Sequence, residues 1–188
     1  MIFIEKLRTE TKSIHQALEK ALIPNIKQAT TPEAYAQILK IFYGYFKGME
    51  GILDTQLSDS NVPAYSKRRK SNAILGDLKS MNVNGSLAVA TDLPKISSVP
   101  EALGAMYVLE GSTLGGRVIT KMLMQNLNFQ DTKHLAFFSG YGDETEMMWG
   151  SFLQTLNEQA SDEQTQDQII QAATDTFSKF KSWIEKNS

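Results

Sequence analysis

The 188-residue sequence contains no cysteine, which excludes a disulfide framework, a thiolate metal site and a cysteine nucleophile. A reducing compartment is compatible with that absence. Only two histidines occur, His15 and His134, and neither belongs to a His-x-x-x-His or Glu-x-x-His pair, so zincin and di-iron carboxylate sites are not signalled. Nineteen basic against twenty-one acidic residues leave a net charge of −2, without the basic footprint of a nucleic-acid binder. No apolar run approaches the ~18–20 residues of a membrane span. The first residues, Met1-Ile2-Phe3-Ile4-Glu5-Lys6, meet charge almost at once and do not read as a leader. The expectation is a cytoplasmic protein with a small-molecule or protein partner, no nucleic acid and no membrane.

Prolines number only five, and helical periodicity runs through most of the chain. The predicted class is all-α, one domain over residues 1–188, large enough to bury roughly 70% of its unfolded surface. The spacing predicts helices over about 5–21, ending before Pro24; from Thr31-Pro32-Glu33 toward Leu57; from Tyr65 to Met81; from Pro100 to Leu127; over 143–159; and over 162–186. Thr31 is the expected N-cap of the second, and Asp143 and Ser161 those of the last two. Residues 82–98 read as polar and turn-rich. There is no repeat, linker or low-complexity tract.

The most informative segment is Tyr107-Val108-Leu109-Glu110-Gly111-Ser112-Thr113-Leu114-Gly115-Gly116. It sets three glycines inside one long apolar helix, at about 0.5–1 kcal/mol each relative to alanine. A backbone without Cβ atoms at Gly111, Gly115 and Gly116 lies close either to a neighbouring helix or to a flat ligand. No strand precedes them and the Gly-x-Gly-x-x-Gly spacing is absent, so they are not a nucleotide fingerprint; a serine nucleophile elbow fails for the same reason.

His15 lies mid-helix beside the apolar stripe, with Glu19 one turn on and Arg8 two turns back on the same face. The pair reads either as an ordinary surface contact or as a metal-ligating imidazole whose second nitrogen is held by a carboxylate. His134 has no partner at helical spacing and reads as structural. Lys67-Arg68-Arg69-Lys70 is a solvated charge face or a docking patch for an acidic partner. Phe42, Tyr43, Tyr45 and Phe46 read as core, with one or two available to line a pocket, and Phe177, Phe180 and Trp183 as the core stripe of the last helix.

Taken together, the N-terminal histidine helix and the distant glycine-rich helix resemble the heme oxygenase family, in its bacterial, biliverdin-producing branch. The likeness runs from about Leu7 to Trp183. It implies a multi-helix bundle with a heme slot between the first helix and a kinked distal helix. On this resemblance His15 matches the proximal iron ligand, Glu19 the acid that holds it, and Arg8 a cation for a heme propionate. Gly111, Gly115 and Gly116 match the distal glycines, and Phe177 an aromatic near the porphyrin. Ser112 stands where many animal-type members carry an aspartate in the distal water network, and no cation around Gly150–Gln154 matches the family's later propionate partners.

The activity implied is O2-dependent, reductive cleavage of heme to biliverdin, carbon monoxide and ferrous iron, with heme both cofactor and substrate. Nothing in the chain signals a flavin or nicotinamide site, so an external reductase or ferredoxin is implied, with Lys67–Lys70 a candidate contact, and a phytochrome as a possible biliverdin acceptor. Two other classes compete: a heme carrier or sensor using the same pocket without turnover, and a helical interaction protein whose glycines serve packing alone.

Overall fold

The computed structural model describes residues 3–188; Met1 and Ile2, at the start of the expected domain, lie outside the described residues. Seven α-helices account for most of the described residues: α1 Phe3–Gln28, α2 Pro32–Leu53, α3 Asn72–Ser80, α4 Val99–Leu127, α5 Ala136–Ser139, α6 Thr145–Gln159 and α7 Glu163–Asn187, with 3₁₀ turns at Tyr65–Lys67 and Gly142–Glu144. No strand occurs among the described residues.

Two boundaries follow from local chemistry that the sequence displays. Thr31 accepts the Ala34 N–H at 3.2 Å, with Pro32 in the first turn of α2. Ser98 and Glu101 close a reciprocal capping box on α4, satisfying N–H groups that a helix start leaves unpaired. Others correct the expectation. Helix α1 does not stop before Pro24 but runs through it, because Leu22 and Ile26 on either side are both buried and hold the two turns against the core. Helix α2 ends at Leu53 rather than Leu57.

The single helix expected over Tyr65–Met81 is broken. Arg68 is extended (φ −70°, ψ 149°), and buried Glu50 takes both the Ser71 N–H and, at 2.7 Å, the Ser71 hydroxyl. Neither Asp143 nor Ser161 acts as an N-cap. Helix α6 begins at Thr145 with no side-chain cap, and Asp162 caps α7 by accepting from Thr165 N–H at 2.9 Å.

Helix α4 is the axis of the molecule, and its most extensive partner is α7. Their close crossing occurs at Gly104, where an added Cβ would stand 2.2 Å from the Ile169 carbonyl oxygen. Residues 82–98 form an extended strap across α2, tied by Ala90 N–H donating to Gly44 O at 3.0 Å. The core is aromatic. Tyr45 stacks on Phe180 with centroids 4.5 Å apart and donates to Thr176 O at 2.7 Å, while Phe42, Phe46, Phe137 and Phe138 meet edge to face. Such pairing adds to what buried area alone contributes. His134 is structural as read: its Nδ1 lies 2.6 Å from Ser80 Oγ and its carbonyl accepts from Tyr35.

Candidate functional site

Helices α1 and α4 run side by side and leave between them a cleft of about 640 Å³, within the roughly 300–1,000 Å³ usual for cofactor sites. The α1 wall carries Arg8, Thr11, Lys12, His15, Leu18, Glu19, Leu22, Ile23 and Ile26; the α4 wall carries Tyr107, Gly111, Ser112, Leu114, Gly115, Val118 and Met122. Phe42, Phe137, Trp149, Phe177 and Phe180 close the remaining sides. The helices are in register from end to end: the Tyr107 hydroxyl lies by Arg8 and Thr11, and Asn126 donates to Ile26 O at 3.1 Å. One end of the cleft is therefore cationic and the other apolar.

His15 stands in the middle of the α1 wall. Its Nε2 is 3.5 Å from Glu19 Oε1, and both side chains are about half exposed, at 53% and 50%. The ring lies against Phe177, centroids 5.1 Å apart and planes 25° off parallel. Among the described residues Arg8 and Lys12 form no ion pair, so both are available to an anionic group at that end. Burial pushes the Tyr107 hydroxyl pKa up, keeping it a neutral donor.

The three glycines of α4 divide between two roles. A Cβ at Gly115 would meet nothing within 4 Å, and one at Gly111 would touch only Trp149 at 3.4 Å; both line the cleft. At Gly116 a Cβ would stand 2.1 Å from the Phe138 carbonyl oxygen, and this residue is not part of the lining. Gly116 thus serves packing against α5, and the cleft keeps Gly111 and Gly115. Carbonyl groups nearby are held by side chains as well: Ser112 donates to Leu109 O at 2.6 Å and Thr113 to Glu110 O at 2.7 Å.

Behind this wall is a charged network that the sequence did not disclose. Arg68 and Glu110 form an ion pair with both side chains under 5% exposed, and Arg68 also donates to Met148 O at 3.1 Å. Tyr141 donates to Glu110 at 3.0 Å; burial and the Glu110 carboxylate push its pKa up to about 12. Arg69 is half-buried as a residue, yet its guanidinium lies out of solvent. It donates to Phe137 O at 3.1 Å, Leu109 O at 2.9 Å and Ser112 Oγ at 2.6 Å. Lys70 pairs with Asp54. The Lys67–Lys70 run is therefore not a continuous solvated face, because Arg68 and Arg69 turn inward while Lys67 alone is exposed.

Of the residues singled out beforehand, Arg8, His15, Glu19, Gly111, Ser112, Gly115 and Phe177 come together in one cleft, and Gly116 stands behind it. Thr11, Lys12, Tyr107 and Trp149 also line the cleft, and the sequence alone assigns them no role there. Lys12 is one turn from both Arg8 and His15, which is the signal that would have found it. Glu110 in an apolar helix also carried a signal, since such an acid requires a buried partner.

Residues 1–186 of the 188-residue chain match the family model described as heme oxygenase. A heme oxygenase from Xanthomonas campestris pv. campestris (strain 8004) is 28% identical over 152 residues, 81% of this chain and 89% of that one. Among solved structures, the NO- and CO-bound heme oxygenase of Neisseria meningitidis superposes with a TM-score of 0.84 at 22% identity, covering 100% of this chain and 92% of that one. Heme oxygenase-1 of the cyanobacterium Synechocystis, in complex with heme, gives 0.75 at 15% identity, covering 99% and 92%.

Proposed function

This chain belongs to the heme oxygenase family, and from that premise we propose that it binds heme in the α1–α4 cleft and opens it to biliverdin, carbon monoxide and ferrous iron. The observation that carries the reading is the pairing of His15 with an unobstructed glycine backbone at Gly115 across one cleft. The donor set fits the ligand: a neutral imidazole suits iron, an absence of Cβ suits a flat macrocycle, and cations suit carboxylates.

Bound heme supplies the iron at which O2 is reduced and the carbon that is oxidised. The protein's own residues do the rest. His15 would hold the iron from the α1 side; the nitrogen facing Glu19 in this structure is Nε2, so ligation through Nε2 would require the ring to turn about χ2 and present Nδ1–H to the carboxylate. A half-turn about χ2 restores the ring plane that is stacked on Phe177. Arg8, Lys12 and the Tyr107 hydroxyl would hold the propionates at the cationic end, and the apolar end, lined by Leu22, Ile26 and Met122, would accept the apolar edge of the macrocycle. Gly111 and Gly115 would let the α4 backbone approach the opposite face of the macrocycle without an intervening side chain.

Electrons come from an external reductase or ferredoxin, and O2 is the co-substrate. A cytoplasmic setting accords with the lack of cysteine, and no helix among the described residues is long and apolar enough to cross a membrane. A phytochrome is one acceptor for the biliverdin. The test is direct: hemin is added, the Soret band recorded, and ascorbate or a reductase supplied in air. Loss of the Soret band with growth of biliverdin absorbance and CO release is expected. A stable Soret band without biliverdin would instead mark a heme carrier or sensor.

A further inference from the structure

We infer that Arg69, which does not line the cleft, fixes the hydrogen-bonding polarity of its glycine wall by locking Ser112 as an acceptor only. A serine hydroxyl has one proton and two lone pairs. In this structure the proton is committed to Leu109 O at 2.6 Å, since a carbonyl only accepts, and one lone pair is committed to Arg69 Nη2 at 2.6 Å, since a guanidinium only donates. One lone pair remains, and Ser112 is a cleft residue. Ser112 therefore cannot donate a proton to a bound ligand. It can accept one hydrogen bond from a water and so orient that water's other hydrogen.

The lock is held from outside the cleft. The Arg69 guanidinium also donates to Leu109 O and Phe137 O and lies against the Phe137 and Phe46 rings, with centroid distances of 4.1 and 5.3 Å. One rigid planar group thus ties α4 to α5 and α2. Burial lowers its pKa to about 10, and Glu110 opposes that shift, so the group stays charged and a donor at neutral pH. Arg69 is a positioning residue that acts through Ser112.

The inference rests on the cleft being the heme site, and the experiment separates the two. Hemin is titrated first into the wild type, where a Soret band dependent on His15 is expected; no such band overturns the functional reading and this inference together. The acid–alkaline transition of the hemin complex, in which coordinated water loses a proton, is then followed by visible spectroscopy in wild type, Ser112→Ala, Arg69→Met and the double variant, with fluoride affinity measured in parallel. Ser112→Ala removes an acceptor, so the midpoint falls by about 0.3–1 pH unit, a roughly twofold to tenfold change. Fluoride, which only accepts, binds within about twofold of wild type.

The shift caused by Arg69→Met disappears in the Ser112→Ala background, because the effect passes through that hydroxyl. Should Arg69→Met fail to fold, Arg69→Lys, which retains the charge but not the fork, goes through the same cycle. Equal shifts in both backgrounds, the signature of a merely structural or directly electrostatic role, would overturn the inference. So would a Ser112→Ala midpoint that stays put or rises, or a fluoride affinity that collapses.

Discussion

The imidazole of His15 lies stacked on Phe177, planes 25° apart, so two helices remote in sequence fix one ring: α7 sets its plane and Glu19 on α1 faces its edge. His15→Ala should abolish the axial ligand while leaving the cleft intact, so the Soret band shifts to that of weakly held hemin and added imidazole restores it. Phe177→Leu should keep the ligand and weaken hemin affinity several-fold. Hemin titrations with and without imidazole check both, and a wild-type Soret band in His15→Ala would refute the ligand assignment.

Gly115 and Gly116 are neighbours with opposite surroundings, and alanine should distinguish them. At Gly116 the new Cβ meets the Phe138 carbonyl at 2.1 Å; α5 must move, and overpacking of this kind costs about 1–3 kcal/mol. At Gly115 nothing lies within 4 Å, so Gly115→Ala should leave stability unchanged or raise it by up to about 1 kcal/mol through helix propensity, while weakening hemin binding at least tenfold. Urea denaturation of the hemin-free protein and hemin titration give the two readouts.

Arg68 and Glu110 are a buried pair, and removing one partner strands the other. Glu110→Ala should destabilise the fold by about 3–5 kcal/mol, partly recovered when Arg68→Met is added, since two apolar groups leave no uncompensated charge. Thermal unfolding of the two single variants and the double variant tests the cycle. Additive losses would mean that the pair is not coupled.

Arg8, His15 and Glu19 were legible because they fall on one helical stripe of α1, and Gly111 and Gly115 because they interrupt an otherwise apolar α4. Helix ends marked by side-chain caps, such as Thr31, were legible for the same local reason. What escaped was decided at long range. Arg68 and Arg69 look like surface charge because their partners, Glu110, Leu109 and Phe137, lie about 40 to 70 positions away. The division of labour between Gly115 and Gly116 depends on where α5 passes, and Pro24 stays within α1 because tertiary burial of Ile26 outweighs the break it would otherwise cause.

The capping box on α4 makes the helix that carries the glycines sensitive to acid. Glu101 accepts from the Ser97 N–H at 2.7 Å, the Ser97 hydroxyl at 2.9 Å and the Ser98 N–H at 3.2 Å, and those bonds, led by the Ser97 backbone, hold its pKa below the ordinary glutamate value. A carboxylate depressed on folding stabilises the native state above its unfolded pKa, about 4.3, and that stability is lost as the pH falls through the lower folded value. Glu101→Gln keeps the acceptor oxygen and removes only the charge. It should therefore be less stable than wild type by about 0.5 kcal/mol at pH 7, with the gap closing below about pH 4 as the wild-type carboxylate is itself protonated. Urea unfolding midpoints measured from pH 7 to pH 3 follow the gap directly; one that persists unchanged at pH 3 would show that the carboxylate's charge contributes nothing to the cap.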